Sequence, residues 1–314
     1  MDYCFGVDIG GTTVKIGLFQ TDGVLLDKWE IKTRTENEGE AILPDVAEAL
    51  KKKMEEKGLT SSQMSGIGIG IPAPVDEEGI VQNTANLGWG YKEVSREMKE
   101  LTGMKVAAGN DANVAALGEM WLGAGKGHKN MIMVTLGTGV GGGVIVNGQP
   151  LTGAHGAGGE IGHLCVNYEE TERCGGGKQG CLEQYGSATG IARLARKRLA
   201  KDDAPSSLRD MEKVDAKAVF DAVKSGDKTA ITIAEEFGEI LGKGFAMIAS
   251  VLNPAAFVVG GGVSRAGEIL FEYIRPAFER YVFPGAKNAK FVLATLGNDA
   301  GIYGSEKLVL DKMD

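Results

Sequence analysis

The chain carries 314 residues, a length that accommodates two domains or one large one, and its 43% hydrophobic content excludes wholesale disorder. Lys and Arg number 34 against 42 Asp and Glu, and the resulting net charge of −8 excludes nonspecific binding to a phosphate backbone. Glycine is the outlier, with 48 residues or about 15%, roughly twice the usual share and without a collagen period. In chain order, residues 3–9 and 13–20 read as strands joined by Gly10-Gly11-Thr12, and Asp22-Gly23 turns the chain into a third strand over 24–32. Residues 40–57 show helical spacing of Ile42, Leu43, Val46, Leu50 and Met54 and stop at Gly58. A buried strand is expected over 66–71, ended by Pro72, then a helix over 91–101, a strand over 105–108 and a helix over 112–121. Strands alternating with helices indicate an α/β fold.

At Met131 the pattern restarts. Val7-Asp8-Ile9-Gly10-Gly11-Thr12 is echoed by Val134-Thr135-Leu136-Gly137-Thr138-Gly139, and each is followed by an apolar strand and a turn, Asp22-Gly23 or Asn147-Gly148. A duplicated α/β domain explains both. Further on, helices are expected over 188–199, 230–252, 266–281 and 302–310, strands over 257–259 and 291–294, and an exposed loop over 201–213. The start of the chain lacks the basic residues of a signal peptide. The uncharged runs 131–159 and 244–264 are interrupted by glycines and by Asn253-Pro254, unlike about 20 continuous apolar residues. Four cysteines, three of them between 165 and 181, do not form a secreted disulfide framework. A soluble, cytosolic protein is expected.

Three glycine loops each follow an apolar strand: Gly10, Gly11, Thr12 and Thr13; then 137–143; then 260–264. Exposed backbone N–H groups in such loops hold phosphates, although tight hairpins use glycine too. Gly137-Thr138-Gly139-Val140-Gly141-Gly142 has the letters of a dinucleotide loop, but a strand follows where that site needs a helix. No P-loop motif occurs, and no H-R-D or D-F-G triplet accompanies the kinase-like glycine pattern. A nucleotide gripped by hairpin loops of two duplicated domains remains.

Asn110-Asp111 ends a strand and opens a helix, where α/β sheets place ligands. An ordinary helix cap would use the same residues; a carboxylate accepting a proton from a hydroxyl nucleophile is the functional reading. Downstream, His163, Cys174 and Cys181 are zinc-type ligands, although their spacing is not that of a C-x₂-C knuckle. Cys165 is the nearest fourth candidate, if a strand points it the same way as His163; two reduced loop cysteines are the alternative. Glu160 and Glu183 flank the cluster and suit hydrogen bonding of several hydroxyls. His128 reads as surface, and His155 as loop.

Taken together, Asp8 to Lys15, Asn110-Asp111, Leu136 to Gly141, Glu160-Ile161-Gly162-His163, Gly180-Cys181-Leu182-Glu183 and Gly260 to Ser264 resemble the ROK family of sugar kinases and repressors, in the family's order over nearly the whole chain. The run from Glu183 to Ile191 is most similar to the family's bacterial glucokinases. The resemblance implies two actin-like, ribonuclease H-like domains with a nucleotide and sugar cleft between them: a small one over 1–118 plus 299–314 and a larger one over 119–298 that carries the zinc-motif insertion. It implies ATP-dependent phosphorylation of glucose with Asp111 as general base. Sugar contacts fall on Asn110, Asp111, Glu160, His163 and Glu183, with Asn86 and the turn from Gly70 to Ala73. Phosphates fall on Gly10, Gly11, Thr12, Thr13, Lys15, Gly137, Thr138 and Gly139, and the base on Gly261 and Gly262. Asp8 supports Mg²⁺ through water. The family's zinc motif, C-x-C-G-x-x-G-C-x-E, has a second cysteine where this chain has Gly176, leaving His163, Cys174 and Cys181, with Cys165 or a water as the fourth ligand. A homodimer or dimer of dimers is implied, with no nucleic-acid or membrane partner: the repressor branch carries a DNA-binding module ahead of the first loop, and here that loop motif begins at Asp8. Another hexose or N-acetylhexosamine (mannose, N-acetylmannosamine, N-acetylglucosamine, fructose) and a non-catalytic sugar sensor are the alternatives.

Overall fold

A computed structural model describes residues 2–312; the ends of the two expected domain segments, Met1, Met313 and Asp314, lie outside it. In chain order the elements are β1 (Tyr3–Ile9), β2 (Thr13–Gln20), β3 (Leu25–Lys32), α1 (Ile42–Lys57), β4 (Met64–Ile71), the short pair β5 (Ile80–Val81) and β6 (Lys92–Glu93), α2 (Val94–Thr102), β7 (Val106–Asn110) and α3 (Asp111–Trp121). There follow β8 (Met131–Leu136), β9 (Val140–Val146), β10 (Gln149–Pro150), α4 (Glu183–Gly186), α5 (Ala188–Lys201), α6 (Ala216–Lys224), α7 (Lys228–Leu252), β11 (Ala256–Gly260), α8 (Ile269–Tyr281), β12 (Lys290–Leu293) and α9 (Ala300–Asp311). Two sheets repeat one topology: β3-β2-β1-β4-β7 and β10-β9-β8-β11-β12. In both, the first strand of the repeat is central and the fourth and fifth strands join in parallel. The echo between residues 7–12 and 134–139 therefore marks the same corner of two equivalent sheets.

The chain divides into two compact units, Met1–Lys129 with Gly143–Gly159 and Thr295–Asp314, and Asn130–Gly142 with Glu160–Ala294. In the first, β4 reads MSGIGIGI and is buried along its whole length. Its glycines let α9 lie directly on the sheet: a Cβ on Gly68 would collide with the Ser305 carbonyl, and one on Gly304 with that of Val114 in α3. Thus the last helix of the chain completes the core of the first unit, where Ile302 and Val309 are buried. In the second unit, Phe245 of α7 stacks on Phe257 of β11 at 4.7 Å between ring centroids, and Phe257 on Phe291 of β12 at 5.4 Å. Among the described residues, no helix is long and apolar enough to cross a membrane.

Several local expectations are corrected. The helix expected over 91–101 starts at Val94, because Lys92 and Glu93 pair with Val81 and Ile80 as a strand. The helix expected from 266 starts at Ile269: Val263–Ala266 forms a 3₁₀ turn and Gly267, at φ 91°, breaks from it. Helix α6 was not anticipated, although its signals are plain: Asp215 accepts from the Ala218 N–H at 2.9 Å as the N-cap, and Val219, Phe220 and Val223 form the buried stripe. The 201–213 loop buries Leu208 in a 3₁₀ turn capped by Ser206. His163 belongs to the 3₁₀ turn Ile161–His163, so the strand that would aim it with Cys165 does not exist. His128 is half-buried rather than surface.

Candidate functional site

The first unit gathers its expected residues at the carboxyl ends of three parallel strands. Gly70 of β4 lies opposite Asp8 of β1 on one side and Gly109 of β7 on the other, and Asn110 is opposite Ile71. Chain direction reverses to helix at this edge, the usual place for ligands in such sheets. Asn110 is the N-cap of α3: its Oδ1 accepts from the N–H groups of Ala112 at 3.1 Å and Asn113 at 3.2 Å, while its Nδ2 donates to the Ala73 carbonyl at 3.1 Å. One side chain thereby locks the helix start to the turn after β4. Asp111 occupies the first turn, with Oδ1 accepting from the Ala112 N–H at 2.7 Å, where the helix dipole favours a negative charge. Capping therefore falls to Asn110, and the Asp111 carboxylate is the residue set at the helix mouth.

The 10–13 loop is a tight hairpin closed by the Gly10 N–H donating to the Thr13 carbonyl at 3.0 Å. Thr33, which the sequence reading passed over, braces it: its hydroxyl donates to the Gly10 carbonyl at 2.7 Å and its N–H to that of Thr12 at 2.9 Å. Asn86 is exposed beside this loop, its Cβ 3.4 Å from where a Gly11 side chain would begin. Asp8 sits across the hairpin from Lys15; burial pushes its carboxyl above the ordinary range, and the Lys15 ammonium only partly opposes this. Asn113 is a second residue missed by sequence reasoning. Buried in α3, it accepts from the Val144 N–H and donates to the Gly158 carbonyl, both at 3.4 Å.

In the second unit the 137–139 loop is held from α5, where the Ala188 N–H donates to the Gly137 carbonyl at 2.8 Å and the Thr189 hydroxyl to that of Thr138 at 2.7 Å. Glu183 lies against it: a Cβ on Gly139 would sit 2.7 Å from Glu183 Oε2. The structure gathers the other polar residues around His163. Its Nε2 is 4.0 Å from Glu160 Oε2, and its Nδ1 is 4.0 Å from Glu183 Oε1 and 3.7 Å from Cys174 Sγ. Gly261, at φ 84°, opens the last glycine loop; a side chain there would meet the Leu136 carbonyl at 2.6 Å. Beside Gly262 lies a cavity of about 340 Å³ lined by Ala188, Lys217, Phe220, Asp221 and Val263.

His163, Cys174 and Cys181 place their ligand atoms within 4.8 Å of one another, with the two sulfurs 3.3 Å apart. Ligands on a tetrahedral zinc are about 3.5–3.8 Å apart; the 3.7 Å between His163 Nδ1 and Cys174 Sγ matches two vertices, whereas the sulfurs would have to move apart for all three to share one ion. Cys165 pairs with Cys181 as a β-bridge, but its sulfur is not in that group. Gly176 packs against this group: a Cβ there would come within 2.7 Å of the His163 ring. The Cys181 thiol is pushed up to about 12, first by burial and then by the Cys174 thiol.

Residues 4–312 match the ROK family. The chain is 43% identical over 309 residues to a glucokinase of Halalkalibacterium halodurans, covering 97% of this chain and 94% of that one. It is 38% identical over 314 residues to a glucokinase of Thermotoga maritima, covering 98% and 97%. Its fold is similar to that of a ROK glucokinase from Streptomyces griseus solved with glucose and AMPPNP, with a TM-score of 0.76, 33% identity and coverage of 98% of this chain and 99% of that one.

Proposed function

The chain belongs to the ROK family, and on that premise we propose that it transfers the γ-phosphoryl group of ATP to the 6-hydroxyl of glucose. The observation that carries this reading is the Asn110-Asp111 junction. A carboxylate stands at a helix N-terminus beside the carboxyl ends of three parallel strands, and its neighbour is pinned to both the helix and the turn after β4.

In this reading Asp111 accepts the proton of the sugar hydroxyl as that oxygen attacks the γ-phosphorus; the new O–P bond forms in line as the bond to the ADP oxygen breaks. Phosphoryl transfer asks little covalent chemistry of a protein, so the remaining residues hold and orient. The loops Gly10, Gly11, Thr12, Thr13 and Gly137, Thr138, Gly139 wrap the phosphates and Lys15 supplies an ammonium; the Gly10 and Gly137 N–H groups close their hairpins on the Thr13 and Gly139 carbonyls, so the donors to phosphate belong to the residues between. Asp8 holds the Mg²⁺ hydration shell. The cavity by Gly262, with Phe220 in its wall, suits a purine. Asn110, Glu160, His163 and Glu183, with Asn86 and Gly70, suit the hydroxyl array of a hexose. A zinc ion on His163, Cys174 and Cys181 would fix the orientation of the imidazole, with water as the fourth ligand.

The four free cysteines accord with a cytoplasmic enzyme, and we read its assembly as a homodimer or dimer of dimers. The test is a coupled ADP-release assay with ATP and Mg²⁺ over a panel of hexoses and N-acetylhexosamines. Glucose should give the highest kcat/KM. Another best sugar would replace the substrate, and no sugar-dependent ADP would overturn the kinase.

A further inference from the structure

The loop from Leu164 to Cys181 has no regular strand or helix; its internal order rests on the bridges Cys165↔Cys181 and Arg173↔Gln179 and on a few backbone bonds. Something else must hold its shape, because an irregular loop of this length is costly to order. On one side stand the three metal-type ligands. On the other stands a polar network around Arg193 of α5, a residue with only 9% of its side chain exposed.

The Arg193 guanidinium is bonded in three directions. It pairs with the buried Glu170 carboxylate through Nη2, donates from Nε to Glu172 Oε2 at 3.0 Å, and donates from Nη1 to the Gln184 carbonyl at 3.1 Å. Glu170 also accepts from the Tyr185 hydroxyl at 2.7 Å, and Tyr185 accepts from Asn167 at 2.8 Å. Gln184 closes the circuit: its Oε1 accepts from the Cys181 N–H at 3.0 Å and its Nε2 donates to the Glu172 carbonyl at 2.9 Å. Burial alone would raise the Glu170 carboxyl, yet Arg193, the Glu172 N–H and the Tyr185 hydroxyl outweigh it and hold it at about 2. A buried ion pair survives desolvation only with this many supporting hydrogen bonds. The fork holds the first arm of the loop and the helix α4 that bears Glu183, and Gln184 ties that helix to the second arm at Cys181.

We infer that Arg193 is a positioning residue for the sugar-binding side chains: its network and the His163-Cys174-Cys181 ligand set are two fastenings of one loop that meet at Cys181, and the network holds His163 and Glu183 in place when metal is removed. This inference rests on the sugar-kinase reading. It explains how the loop can tolerate Gly176 at the position of a metal ligand. Two fastenings on one loop predict strong non-additivity: losing either is mild, losing both is not.

The experiment compares the wild-type protein with Arg193→Met and Arg193→Lys, each as purified and after exhaustive chelation, with metal content measured. Two readouts are taken: glucose KM and kcat, and the rate of tryptic cutting after Arg173 and Lys178, both exposed on the loop. Chelated wild-type protein should keep glucose KM and the cutting rate within about threefold, whereas chelated Arg193→Met should lose about tenfold or more in each, with kcat changed less than about threefold. Arg193→Lys, which keeps the charge and loses the fork, should fall between. If the protein binds no metal at all, Arg193→Met should show the full loss unaided. The inference is overturned if chelation alone loosens the wild-type loop as much as the combination does, or if the combination leaves both readouts unchanged. Should Arg193→Met fail to fold, Tyr185→Phe with Glu172→Gln is judged by the same criterion at about threefold. Wild-type glucose turnover, measured alongside, separates failure of the kinase reading from failure of this one, since proteolysis reports the loop without activity.

Discussion

Two regions of this protein carry polar groups toward the proposed substrates, and they are built in opposite ways. At the start of α3, a parallel strand runs directly into a helix, and two adjacent residues divide the work: Asn110 fastens and Asp111 presents a carboxylate. Around His163, side chains from positions 160 to 183 converge through a loop whose shape comes from a buried guanidinium, a cluster of donors and a handful of backbone bonds. The first region is defined by regular elements, so a single substitution there takes its full effect. The second is over-determined by several weak fastenings, so single losses are shared.

The sharpest way to break the contrast is at Asp111. Asp111→Asn keeps the shape of the helix start and removes the base; kcat should fall by about 10²–10⁴ while glucose KM stays within about threefold. Steady-state kinetics decide this, and wild-type turnover in the variant would remove Asp111 from its role. Asn110→Ala should raise glucose KM by about tenfold, through lost orientation, and cost about 1 kcal/mol of stability through the lost cap. Calorimetry together with KM tests both halves; an unchanged KM would leave Asn110 as a cap alone.

For the loop, Cys174→Ala should abolish metal binding, read by elemental analysis, yet keep glucose KM within about threefold, because the Arg193 network remains. A hundredfold rise would mean that the metal alone shapes the loop. The smallest effect on activity is expected in the core of the first unit, where burial raises the Glu306 carboxyl to about 8 and the Cys4 thiol donates to it at 3.6 Å. A folded-state value above the ordinary 4.5 gives stability that is full below about pH 4.5 and is lost as pH rises to about 8. Denaturation midpoints between pH 5 and 8 should therefore fall more steeply for the wild type than for Glu306→Gln, with glucose KM equal in both. Parallel midpoint curves would show that this carboxyl does not titrate as described.

The sequence by itself determined the repeat, the strands of both sheets apart from β10, and the junction at Asn110-Asp111, because these follow from local periodicity, turn chemistry and caps, which act over a few residues. It also brought forward His163, Cys174 and Cys181 as a group, since histidine and cysteine announce their own chemistry. Only the tertiary structure decided which of two adjacent residues caps α3, because capping depends on where strand pairing ends. It placed the Cys165 sulfur outside the ligand group, since the 3₁₀ turn at His163 removes the strand on which that expectation stood. Thr33, Asn113 and Arg193 were invisible beforehand for a common reason. Each acts through hydrogen bonds to partners distant in the chain, such as Gly10 for Thr33 and Glu170 for Arg193, and no local pattern records which far residue a side chain will meet once the sheets have packed.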